Sequence, residues 1–154
     1  MNRFFLIIAV IILSACAHEP YFEKNVSLKN NKWEQDEIIR IEIDIPKPQL
    51  VFDFYINMRN TKSYGYSNLY MFLDITDPKG EKWSDTLEFR VAESDGRWTG
   101  DYESSESFVM NSWLTIEKFK FPKQGTYIFE MRHGMYDDAL PEVTDIGIRL
   151  EEIK

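Results

Sequence analysis

The sequence predicts an all-β protein, an antiparallel β-sandwich in which a jelly-roll arrangement is one variant. Apolar and polar residues alternate with a period of two in several separate runs, a pattern typical of half-buried strands. Turn residues recur between these runs about every ten positions, as expected for a sandwich. No segment has a convincing helical period. Aromatic residues make up 15% of the chain, enough to build a small β core.

The runs give the predicted strands in chain order. Residues 68–76 are apolar on both faces, which predicts a central strand, whereas the other runs alternate and predict half-buried strands. The alternating runs are residues 39–45, 52–58, 86–91, 126–132 and 145–151. We expect about eight strands in total, and the segment 104–112 has the weakest pattern.

Turn signals separate the strands. Asp77-Pro78-Lys79-Gly80 is the strongest, because proline presets φ and glycine supplies a positive φ. Asp95-Gly96 and Gln124-Gly125 mark two further turns. These turns separate the predicted strands within one compact domain, as the length of the chain also indicates.

The N-terminus predicts export and lipid anchoring. An apolar run over residues 4–13 leads into Leu13-Ser14-Ala15-Cys16. The run is too short to span a bilayer, but it suits a signal peptide, and the cysteine is the lipid acceptor. We therefore assign residues 1–15 to a lipoprotein signal peptide, residues 16–23 to a lipidated tether and residues 24–154 to a single β-sandwich domain.

Charge and cysteine content limit the partners. The net charge is −8, so the chain should not bind nucleic acid or anionic lipid by general electrostatics. Membrane contact should come through lipid on Cys16, and two or more acyl chains make such an anchor stable. Cys16 is also the single cysteine, which leaves none for a disulfide or a zinc site.

Candidates for catalysis are few. His18 lies in the tether, so His133 is the one imidazole of the domain, and a surface histidine at a strand end is favoured over a general base. Asp137, Asp138 and Asp145 are read as solvated acids, because their spacing matches no calcium loop. A pair of glycosidase carboxylates stays open, since any two acids could meet in the fold. We expect no catalytic residue, no metal and no cofactor.

Four aromatic residues in predicted connections are the candidate contacts for a partner or a glycan: Tyr64, Tyr66, Trp98 and Tyr136. Rings on loops can anchor a protein partner or stack on a sugar. The favoured interpretation is that they cap the ends of the core, because a chain so rich in aromatics must bury most of them.

The chain resembles the gliding-motility lipoprotein family GldH of Bacteroidetes. The order and spacing of several segments behind the lipid box carry the resemblance: Trp33, 58–60, 64–70, 85–88, 96–100, 121–127 and 145–151. Two positions depart from it: the family has Met-Arg where this chain has Met135-Tyr136, and a glycine where it has Pro141-Glu142.

The resemblance implies a lipoprotein of the cell envelope, at the outer membrane, that is accessory to gliding motility and to the linked type IX secretion machinery. It implies no enzymatic activity and suggests other envelope proteins as partners. The alternative is a surface glycan-binding lipoprotein, which an aromatic cleft with convergent polar groups would favour. An envelope hydrolase ranks third, and two close carboxylates in a cleft would favour it.

Overall fold

The computed structural model describes residues 19–102 and 107–153, which form a sandwich of antiparallel sheets. The predicted signal peptide and Cys16 lie outside the described residues. A short 3-10 turn, Lys29–Asn31, follows the first strand. The strands are β1 Phe22–Ser27, β2 Lys32–Glu34, β3 Ile39–Ile45, β4 Val51–Thr61, β5 Asn68–Thr76, β6 Lys82–Arg90, β7 Asp101–Tyr102, β8 Phe108–Lys120, β9 Gly125–His133, β10 Ala139–Pro141 and β11 Val143–Glu152.

The strands form two large sheets and one small ribbon. The first sheet has the order β1-β11-β4-β8-β7 and the second has the order β3-β9-β5-β6, while β10 and β2 pair separately. When the short strands β2, β7 and β10 are set aside, each large sheet keeps four strands in jelly-roll order. The prediction of an all-β sandwich is confirmed.

Alternation in β3 shows how the sequence sets the core. The β3 residues on the inner side of the second sheet are Ile39, Ile41, Ile43 and Ile45. All four are buried, and the charged residues between them are exposed. Because side chains of a strand point to opposite faces in turn, this spacing places one face of β3 entirely in the core.

Strand β5 has the predicted bounds and lies between β9 and β6, so its central position is correct. Its two faces differ in burial, although both carry apolar residues. Leu69, Met71 and Leu73 are buried, whereas Tyr70 and Phe72 on the opposite face are about two-fifths exposed. Within the described residues no second layer packs over this side of the sheet, and the aromatic side chains therefore meet solvent.

Five strands were not apparent from the sequence: the short strands β2, β7 and β10 and the longer strands β1 and β8. Strand β8 begins in the weak segment, and its alternation is broken by register shifts opposite Phe54 and by a positive φ at Lys118. Strand β1 begins at Phe22, so the last two residues of the predicted tether lie in the sheet. It approaches β11 closely at Gly147, where a Cβ would lie 2.4 Å from the carbonyl oxygen of Lys24.

The two ends of the sandwich differ in their relation to the N-terminus. The chain enters beside Phe22, which pairs with Leu150, and we call this end the tether end. The turn at Asp77–Gly80 lies there too, with the predicted positive φ at Gly80 and an ion pair from Asp77 to Lys123. The opposite end, called the distal end, holds the connections 62–67, 91–100 and 134–138.

Candidate functional site

All four predicted contact residues lie in the distal connections, but they differ in exposure. Tyr64 is 5% exposed, and its hydroxyl donates a hydrogen bond to the carbonyl oxygen of Asn68 at 3.1 Å. Burial raises the pKa of Tyr64. Its ring centroid lies 5.7 Å from that of Tyr66, whose hydroxyl donates to the carboxylate of Asp137. These two tyrosines therefore close the end of the core.

Trp98 and Tyr136 have opposite environments. Trp98 is half-buried against the core, and its backbone forms a bridge with Ala92. Tyr136 is 99% exposed, one residue from the carboxylate that holds Tyr66. Of the four predicted residues, Tyr136 alone presents a whole aromatic ring to solvent, so it is the one able to anchor a partner without rearrangement.

His133 ends β9 as predicted, but the expectation that it lies on the surface is wrong: it is 1% exposed. The ribbon of β2 and β10 covers this strand end, and the ring of Trp33 meets the imidazole edge-on at 5.4 Å. Burial lowers the pKa of His133, against smaller opposing effects from the Trp33 backbone, Asp137 and Glu34. Neither ring nitrogen has a hydrogen bond of normal geometry within the described residues.

A second candidate surface lies on the outer side of the second sheet, and we call it the Phe72 face. Its side chains come from three neighbouring strands: Phe72 and Asp74 of β5, Ser84 and Thr86 of β6, and Arg132 of β9. Register places Phe72 directly between Thr86 and Arg132. The sequence contains one signal for this face, the apolar residues on both sides of β5, which by themselves indicate only a central strand.

The geometry of the Phe72 face is set by a glycine. A Cβ on Gly134 would lie 3.1 and 3.2 Å from two carbons of the Phe72 ring, so the ring packs where any other residue would place its side chain. The guanidinium carbon of Arg132 is 5.8 Å from the ring centroid. The hydroxyl of Ser84 donates to Asp74 and lowers the pKa of Asp74, and Lys82 pairs with the same carboxylate at 2.9 Å.

Two kinds of feature, a metal cluster and a membrane-spanning helix, are absent from the described part of the chain. No group of three or more histidine, cysteine or acidic side chains is placed to share a metal ion there. Over the same residues, no helix combines the length and apolar character needed to cross a bilayer.

The family model described as GldH lipoprotein matches residues 20–150. The chain belongs to the GldH lipoprotein family. As a member, it is a lipid-anchored protein of the cell envelope, and the resemblance stated from the sequence is confirmed. A gliding motility lipoprotein GldH homolog of Christiangramia forsetii is 29% identical, with 97% of this chain and 94% of the relative covered. The gliding motility lipoprotein GldH of Flavobacterium johnsoniae is 25% identical, with 98% and 96% covered.

Solved structures are similar to this GldH chain at a lower level. The carbohydrate-binding module TmCBM61 in complex with β-1,4-galactotriose has a TM-score of 0.36 and 14% identity, with 85% of this chain and 82% of that chain covered. A family 35 carbohydrate-binding module from Clostridium thermocellum has a TM-score of 0.36 and 12% identity, with 81% and 97% covered.

Proposed function

We propose that this GldH lipoprotein is a non-enzymatic binding component of the envelope apparatus for gliding motility and the linked type IX secretion machinery, held at the outer membrane by lipid on Cys16. The observation that carries the proposal is the match to the GldH family over residues 20–150. Relatives that cover nearly the whole chain and are named gliding motility lipoproteins support it.

The position of the histidine supports a binding role over catalysis. A general base must come within hydrogen-bond reach of the proton that it removes. His133 is enclosed by Trp33 and the ribbon of β2 and β10, so a substrate in solvent does not reach its nitrogens. Its lowered pKa keeps it neutral at physiological pH, and its role in the fold is that of a core residue.

Tyr136 is the proposed anchor for an envelope partner. Strand β4 has 11 residues, and at about 3.3 Å per residue the sandwich is roughly 35 Å long. Lipid at the tether end therefore holds Tyr136 at about that distance from the point where the chain enters the fold. This is a suitable place for contact with a protein that projects from the same membrane. Interface energy concentrates in a few aromatic or arginine residues.

The experiment is deletion of the gene in the source cell, followed by complementation and measurement of colony spreading and of type IX cargo in the medium. The wild-type chain should restore both, and Tyr136→Ser should restore less. Trp83→Ser is the matched control, because Trp83 is 46% exposed but lies near the tether end. Normal spreading and secretion in the deletion strain would refute the function. Equal rescue by Tyr136→Ser and wild type would refute the anchor alone.

Glycan binding is the second candidate function, and the Phe72 face is the observation that favours it. The predicted aromatic residues supply little for a glycan, because Tyr64 and Tyr66 are engaged in the fold. Phe72, in contrast, is an exposed ring surrounded by hydroxyl, carboxylate and guanidinium groups. Such convergence of one aromatic surface with several polar groups is what a sugar requires.

A further inference from the structure

We propose that the Phe72 face binds a neutral hexose unit of a glycan, with the ring of Phe72 under one face of the sugar and polar side chains around its edge. The inference rests on glycan binding, the second candidate function, and specifies its site and ligand class. A hexose in its ring form carries C–H groups on its faces and hydroxyl groups on its edge. It therefore matches a site with an apolar floor and a polar rim.

The floor is an aromatic ring fixed in place. Phe72 is 40% exposed, yet one part of its ring packs on the backbone of Gly134, where no side chain intervenes. The amide of Gly134 donates to the carbonyl oxygen of Tyr70 at 2.7 Å, which holds this backbone against β5. A ring supported in this way loses little conformational freedom when a ligand covers its open side, and preorganisation of this kind favours affinity.

The rim supplies both donors and acceptors. The guanidinium of Arg132 lies over the Phe72 ring, and its charge helps to lower the pKa of Asp74, but within the described residues it makes no hydrogen bond or close ion pair. Its N–H groups therefore remain available to hydroxyl oxygens. The carboxylate of Asp74 already accepts from Ser84 and Lys82, but two carboxylate oxygens can accept about four hydrogen bonds. Thr86 adds a hydroxyl on the other side of the ring.

The size of the site suits a small sugar segment. The Phe72 face forms a shallow, open depression with a volume of about 430 Å³, comparable with the lower part of the range of about 300–1,000 Å³ for small-ligand sites. It opens onto the side of the sheet, so a longer glycan can continue past the bound unit.

Charge selects a neutral ligand. Asp74 and Glu130, which lie directly opposite each other in register, place two negative charges on this face, and Arg132 and Lys82 offset them. The net charge of the whole chain is −8, which repels acidic polysaccharides at long range. A protein partner fits less well, because charged residues are depleted in the centre of protein interfaces, whereas here they border the Phe72 ring.

The test uses the full lipidated chain in detergent, with affinity electrophoresis in gels containing galactan, mannan, β-glucan or polygalacturonate. At least one neutral polymer should retard the protein, and polygalacturonate should not. Calorimetry with an oligosaccharide of the retarding polymer then gives the dissociation constant. Phe72→Ala should weaken binding about tenfold, the loss of a principal contact. Arg132→Met should also weaken it, and Phe72→Trp should retain it.

Tyr136→Ser is the matched control, because it removes a more exposed ring at the distal end and should leave glycan affinity unchanged. If no neutral polymer retards the protein, both the inference and glycan binding are wrong. If one does, but Phe72→Ala and Arg132→Met bind like wild type, the site is wrong and glycan binding stands. Retardation by polygalacturonate alone contradicts the charge argument. If Phe72→Ala fails to fold, the glycan affinity of Arg132→Met alone tests the proposed site.

Discussion

Phe121 joins the two sheets of the sandwich, and its replacement by alanine should be among the most destabilising changes in the core. The residue connects β8 to β9 and is fully buried. Its ring centroid lies 5.6 Å from Phe52 of the first sheet, and 4.7 and 6.4 Å from Tyr127 and Phe129 of the second. The ring of Phe119 adds a fourth contact at 4.8 Å.

The magnitude follows from the cavity and from the lost ring contacts. Truncation of a buried phenylalanine to alanine costs about 3–5 kcal/mol, and each aromatic pair contributes about 0.5–1.5 kcal/mol beyond burial. With four ring partners, we expect Phe121→Ala to lie at the upper end, near 5 kcal/mol. Domains have a total stability of about 5–15 kcal/mol, so this variant should lose about a third or more of the stability of the domain.

Urea denaturation monitored by tryptophan fluorescence measures the loss, in a Cys16→Ala background that prevents lipidation. The midpoint should fall while the slope with urea stays constant, because the surface exposed on unfolding is unchanged. Phe72→Ala is the matched control, since its ring is partly exposed, and it should lose no more than about half as much. A loss below about 2 kcal/mol for Phe121→Ala would mean that the end of the core is loosely packed, which contradicts the reasoning.

Three further predictions concern the anchor, a strand contact and a buried base. Cys16→Ala should abolish acylation and release the protein from the membrane fraction; mass spectrometry of the wild-type N-terminus should show the lipid, and an unmodified mature N-terminus would contradict the assignment. Gly147→Ala should separate β1 from β11, because the added Cβ would overlap the Lys24 carbonyl oxygen; hydrogen exchange should then rise in β1, and unchanged protection would count against the close approach. Because burial lowers the pKa of His133 below its unfolded value of about 6.5, stability should decrease as the pH falls below that value. His133→Phe should flatten this dependence, measured as urea midpoints between about pH 7.5 and 5, and an unchanged slope would show that the histidine does not cause it.

The sequence predicts strands well where alternation alone decides them. The bounds of β3 and β5 agree with the runs 39–45 and 68–76, because one face of each is uniformly apolar and a one-residue slip would expose it. Alternation does not predict strand β8, because its irregular pairing with β4 changes which face of the sheet successive side chains occupy. Local pattern does not contain information about such a bulge.

Burial of individual side chains depends on contacts far apart in sequence. His133 is enclosed by Trp33, which lies 100 positions earlier, and nothing near the histidine indicates that cover. Similarly, the support of Phe72 by Gly134 depends on how β5 and β9 pair. The lipid box is a local motif and the family resemblance depends on the order of segments, so both are visible in the sequence. The Phe72 face depends on the register of three strands, which the sequence does not show.

The position of β1 has a mechanical consequence. Its six residue pairs with β11 run from Phe22 beside the tether to Ser27 near the distal end. A pull on the lipid anchor, with the distal end held by a partner, acts along the axis of β1, while the hydrogen bonds of the ladder lie across it. All of these hydrogen bonds then bear the load in shear and must break together, rather than one after another from the end of the strand. A lipoprotein connected in this way can transmit tension between a membrane and a moving machine without losing its first strand.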